Sequence, residues 1–114
     1  PEVARVLHPA LPSCPGHEIF KRDFTGACGL FGVVFQPEFS AEDVVRMIDA
    51  LQMFGIGASW GGFESLVLPT TGTIRRSAGT GRFEGEAARF QIGLESVEEL
   101  IADLEQGLAA LKAP

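Results

Sequence analysis

Hydrophobic positions in this chain follow two periods, and the change from one to the other marks the elements. Residues 3–7 (VARVL) alternate as in a half-buried strand. Pro9, Pro12, Pro15 and Gly16 then break the pattern into a loop over 8–16. Residues 27–35 (ACGLFGVVF) are almost continuously apolar, as expected of a buried central strand, and stop before Pro37. From Ser40 the period lengthens. Ser40 is a capping residue followed by Glu42 and Asp43 in the first turn, and Val44, Ile48 and Leu51 repeat at i, i+4 and i+7 up to Met53, predicting a helix. Short strands are expected at 56–60 and at 66–68, the latter ended by Pro69. The stretch 70–87 has four glycines and few large apolar residues, so it reads as an irregular excursion. A strand follows at 89–94. Ser96 with Glu99 then opens a second helix as a capping box, with Val97, Leu100, Ile101, Leu104, Leu108 and Leu111 on its inner side and Glu98, Glu99, Asp103, Glu105 and Gln106 outside. The order strand, strand, helix, strand, strand, strand, helix predicts an α+β fold. We expect a small, mostly antiparallel sheet with two helices packed on one face.

Composition narrows the possible functions. A chain of 114 residues holds one domain, and 46% apolar content supports a packed core. A net charge of −6 with scattered cations excludes nucleic acid as an expected partner. No apolar run approaches the ~20 residues of a spanning helix, and no charged-then-apolar leader is visible, so the expected location is the cytoplasm, with no membrane partner. The chain opens at Pro1 directly into a strand pattern, which suggests a domain excised from a longer enzyme. Cys14 and Cys28 are expected to be reduced thiols. Cys14-x-x-His17, with His8 and Cys28 nearby, lacks paired ligand spacing, and no metal site is expected.

Candidate chemistry concentrates in two stretches. In 88–95 (ARFQIGLE), Arg89 sits among apolar neighbours; a permanently charged, planar fork in such a strand calls for an anion, and it suits a carboxylate. An internal partner such as Glu64, or an outward-pointing edge position, would satisfy it equally well. In 57–65 (GASWGGFES), Ser59 offers a hydroxyl, Trp60 a flat ring, and Gly61-Gly62 a backbone that a ligand can approach. The plainer alternative is a tight turn with Trp60 anchored in the core. Gly55-x-Gly57 and Gly79-Thr80-Gly81 lack the strand-loop-helix setting of a phosphate loop. Asp23, Glu64 and Glu95 are too widely spread for a paired-carboxylate site, and His8 and His17 lie in loop sequence. The only lysines are Lys21 and Lys112, neither in a position expected of a catalytic amine.

Several segments in order carry a family resemblance: 1–12 (PEVARVLHPALP), 16–18 (GHE), 21–26 (KRDFTG), 29–31 (GLF), 59–66 (SWGGFESL) and 89–95 (RFQIGLE). The chain resembles, almost end to end, the C-terminal portion of the cystathionine β-lyases of the pyridoxal-phosphate-dependent transsulfuration family. The resemblance implies a C–S lyase of methionine biosynthesis whose cofactor, pyridoxal 5′-phosphate, is held mainly by a larger upstream domain that also supplies the aldimine lysine. Residues 1–114 would then be a single C-terminal domain, inactive by itself. It further implies that Arg89 pairs with the α-carboxylate of an amino-acid substrate such as cystathionine, with Ser59 and Trp60 beside it. The intact enzyme would be a homotetramer, and separation from the larger domain should bare apolar surface around Phe20, Phe24 or Trp60. Ser-Trp-Gly-Gly is similar to the β-lyase pattern, whereas γ-lyases and γ-synthases usually show Ser-Leu-Gly-Gly. Two positions depart from the family: Ala58 replaces an aromatic residue of some β-lyases, and Phe90-Gln91 replaces a more usual Leu-His.

Overall fold

Five strands form one sheet in the order β1-β2-β5-β4-β3, so the last long strand lies in its middle. The structure is a computed structural model that describes residues 1–79 and 82–113. In chain order the elements are β1 (Val3–Leu7), α1 (His17–Asp23), β2 (Leu30–Phe35), α2 (Ala41–Ala50), β3 (Gly55–Ile56), β4 (Leu66–Pro69), β5 (Ala87–Gln91) and α3 (Val97–Ala110). All pairings are antiparallel except β3 with β4, which is parallel. The expected α+β layer, with α2 and α3 on one face of a mostly antiparallel sheet, is the fold observed.

Register decides which side chains meet the helices. Phe31, Phe90 and Val67 are directly paired across β2, β5 and β4, so they share a face. Phe31 stacks on Phe90 at 5.5 Å between ring centroids, and Phe54 meets Phe90 edge-on at 5.6 Å. Val44, Met47 and Ile48 of α2 and Leu100 of α3 close over this layer, together with Leu51 and Leu111. Burying each such side chain stabilises the fold by ~1.5–3 kcal/mol.

The two helices are capped as their sequences predict, α2 more completely. Ser40 Oγ accepts from the Asp43 N–H while the Asp43 carboxylate accepts from the Ser40 N–H, a reciprocal box. At α3 only half of the expected box forms, Ser96 Oγ accepting from the Glu99 N–H at 3.4 Å. The helices touch at Gly107, where an added Cβ would stand 2.6 Å from Leu51 Cδ2. Glu2, before β1, pairs with Lys112, just past α3, and this partner is the main reason its carboxyl is lowered to about 2.

Several elements differ from the expectation. α1 was not predicted: it buries no residue, and its N-terminus is Gly16 in the left-handed region (φ 83°) without a side-chain cap. The strand expected at 56–60 shrinks to Gly55–Ile56, and that expected at 89–94 is Ala87–Gln91, because pairing with β2 begins at Ala87 opposite Val34. On α3 the inner face is rotated. Val97 and Ile101 are 61% and 52% exposed, whereas Asp103, expected outside, is buried. Asp103 accepts hydrogen bonds from the Gln52 and Met53 N–H groups and from Gln106 Nε2, tying α3 to the chain leaving α2.

Candidate functional site: an arginine on the uncovered face of the sheet

Alternation along β5 puts Ala88 and Phe90 in the core and turns Arg89 to the opposite face, where it is paired with Gly32 and Leu68. The arginine is half-buried, and its Nη2 donates to the Ala58 carbonyl. A guanidinium has five N–H donors. Among the described residues Arg89 makes no ion pair, so Glu64 is not its partner, and most of its donors remain available on a face that no helix covers.

The Ala58–Glu64 turn is held against β5 by polar groups from the second motif. Gln91 Nε2 reaches the Gly62 carbonyl at 3.4 Å, and the Leu94 N–H donates to the Phe63 carbonyl at 2.9 Å. Ser65 is buried; its N–H and hydroxyl donate to the two oxygens of Glu95 at 2.8 and 2.7 Å, and its hydroxyl accepts from the Gly93 N–H at 2.8 Å. These two donors hold the Glu95 carboxyl below the ordinary glutamate range. Crossing is so close that a Cβ at Gly93 would lie 2.1 Å from the Phe63 carbonyl oxygen, which is why glycine stands there. The turn itself passes through Gly61 at φ 74°, a left-handed conformation.

The structure therefore brings the stretches 58–65 and 89–95 together. Ser59 and Trp60 are exposed at the tip of the turn, Trp60 at 67%, so the alternative of Trp60 as a core anchor is overturned. Phe24 is also exposed (62%), and half-buried Phe20 stacks on it, matching the apolar surface expected around these residues. Sequence reasoning gave Gln91, Glu95 and Ser65 no part in holding the turn. Glu95 was weighed only as half of a catalytic pair, and its signal was its place at the end of the same motif as Arg89.

Other candidates are structural or lie apart. The Ala10 N–H donates to His8 Nδ1, so His8 carries its proton on Nε2 and donates to the Cys28 carbonyl at 3.0 Å. His17 Nδ1 donates to the Pro9 carbonyl at 2.8 Å. Both imidazoles brace the loop between β1 and β2. Cys14 is half-buried and Cys28 exposed, both as free thiols. Lys21 pairs with Glu18 at 3.8 Å, and Lys112 with Glu2.

The solved structures that share this α+β layer are fold-type I pyridoxal-phosphate enzymes. The layer aligns with cystathionine γ-lyase from Lactobacillus plantarum complexed with L-serine at a TM-score of 0.81 and 28% identity, covering 100% of this chain and 30% of that one. The chain is 46% identical to cystathionine β-lyase MetC of Escherichia coli over 97% of its length and 29% of that protein's, and 43% identical to an L-alanine/L-glutamate racemase of Wolbachia pipientis over 96% and 28%. The pattern of the family described as Cys/Met metabolism PLP-dependent enzyme matches residues 1–109, and the chain belongs to that family. It spans less than a third of the length of these relatives.

Pyridoxal phosphate is the cofactor of the family. The described residues do not form its site: both lysines are engaged in surface ion pairs, and no glycine-rich loop opens a helix toward the uncovered face.

Proposed function

We propose that residues 1–114 are the C-terminal domain of a longer carbon–sulfur β-lyase and that this domain binds the α-carboxylate of the substrate. Arg89 carries the reading: a half-buried guanidinium, fixed by the Ala58 carbonyl, on a face without a helix and without an internal acid to pair with. Its planar fork takes both carboxylate oxygens, Ser59 stands beside it in the turn that Ala58 begins, and Trp60 walls the same turn. Holding the carboxylate fixes the orientation of the amino-acid α-carbon relative to groups supplied from outside this domain, which is the domain's contribution to the rate. The reaction assigned to the whole enzyme is cleavage of L-cystathionine with water to homocysteine, pyruvate and ammonia. Trp60 in Ser-Trp-Gly-Gly favours β-lyase over γ-lyase or γ-synthase chemistry. The intact enzyme is assigned as a cytoplasmic homotetramer.

Replacing Arg89 by Ala in the full-length enzyme raises KM for cystathionine about 30-fold or more, the equivalent of at least ~2 kcal/mol for a lost carboxylate pair. An unchanged KM contradicts the assignment. The isolated chain releases no pyruvate from cystathionine; measurable turnover would show that the domain holds its own catalytic amine.

A further inference from the structure

On the face of the sheet that carries Arg89, an open pocket of about 420 Å³ is lined by Arg89 and by a second arginine, Arg76. Among the described residues no aspartate or glutamate lines this pocket, although the chain has 15 acidic residues against 9 basic ones. Two guanidinium groups sharing one acid-free depression repel each other unless an anion lies between or alongside them. Arg76 forms no hydrogen bond or ion pair among the described residues, even though the larger adjoining pocket, which it also borders, includes Glu84 and Glu86. The remaining walls suit an extended organic acid. Phe83, Leu7 and Ile74 offer apolar sides, and the Thr73 hydroxyl donates to the Thr70 backbone carbonyl at 2.7 Å.

We propose that Arg76 is a second carboxylate-binding residue and that the pocket takes an amino acid acidic at both ends, with its α-carboxylate on Arg89 and its far carboxylate on Arg76. This inference rests on the reading of Arg89 given above and adds to it a determinant of substrate class. A thioether with an amino-acid group at each end fits that requirement, and a cysteine thioether with a short alkyl group meets only half of it.

The test compares KM for cystathionine with KM for S-methylcysteine in the full-length enzyme and in its Arg76→Gln, Arg76→Lys and Arg89→Gln variants. Arg76→Gln raises the ratio of the two KM values about tenfold, the lower end of what a charge-assisted hydrogen bond is worth at an open site. Arg76→Lys recovers part of that ratio. Arg89→Gln raises both KM values together and leaves the ratio near its starting value. An unchanged ratio in Arg76→Gln overturns the role of Arg76 while leaving Arg89 intact; unchanged KM values in Arg89→Gln overturn the reading of Arg89 instead. A fall in affinity for pyridoxal phosphate in Arg76→Gln, measured by cofactor titration of the apoenzyme, would assign the arginine to the cofactor phosphate and likewise overturn the proposal. Because the ratio is internal to each variant, partial loss of folded enzyme does not move it.

Discussion

The two faces of the sheet are built from the same strands, yet they solve opposite problems. On the helix side, Phe31, Val67, Ala88 and Phe90 are closed over by α2, α3 and Phe54, and even the buried carboxylate there, Asp103, has its donors within the chain. Among the described residues no buried side-chain polar atom on either side lacks a partner. On the other side, Arg89 has one partner and donors to spare, and Trp60 stands in solvent. One face is closed by helices; the other carries none, although Val34, Ala87 and Gln91 on it are buried beside the half-buried Arg89. Alternation along β5 produces both from five consecutive residues.

The contrast is sharpest at neighbouring positions. Phe90→Ala removes the ring that Phe31 and Phe54 contact and should cost ~3–5 kcal/mol of stability in a denaturant titration. A cost below ~1 kcal/mol would mean that the helix side is not the closed core described. Asp103→Ala leaves the Gln52 and Met53 N–H groups without their acceptor and should cost ~1–3 kcal/mol by the same measurement. Replacement by Asn, which keeps an acceptor oxygen, should cost less. The smallest effect is expected at Glu95, and it depends on pH. Its carboxyl is held down in the folded chain by the Ser65 N–H and hydroxyl, so the stabilisation is complete above the unfolded value of ~4.3 and disappears as pH falls through the lower folded value. Glu95→Gln should flatten the stability profile in that acidic window and leave its slope at neutral pH unchanged; a profile identical to the parent's would mean that Ser65 does not hold the carboxylate.

Much of this arrangement was legible in the sequence. The 3.6-residue repeats after Ser40 and Ser96 placed α2 and α3, because burial on one face imposes a period, although α2 ends at Ala50 rather than Met53; the continuous apolar run over 27–35 placed β2, which begins only at Leu30. α1 left no such trace, since a seven-residue helix with nothing buried has no period to display. The inner face of α3 was misjudged at Val97, Ile101 and Asp103 for a related reason: hydrophobic character points to burial, but Gly107 sets where α2 can approach, and that contact chose the face. The apolar neighbours of Arg89 marked it as a candidate but left an internal partner equally open, and the family resemblance tipped the balance; its lack of an ion pair among the described residues shows only in the structure. The Ser65–Glu95 lock joins residues 30 apart in sequence and could not be read from either motif by itself.

The most direct test of the account is a crystal structure of the full-length enzyme with a bound amino acid. The account predicts the ligand's α-carboxylate on the Arg89 guanidinium, with Ser59 and Trp60 beside it and Ala58 still holding Nη2. A carboxylate bound elsewhere, with Arg89 turned to solvent or paired with an acid of another domain, would contradict it.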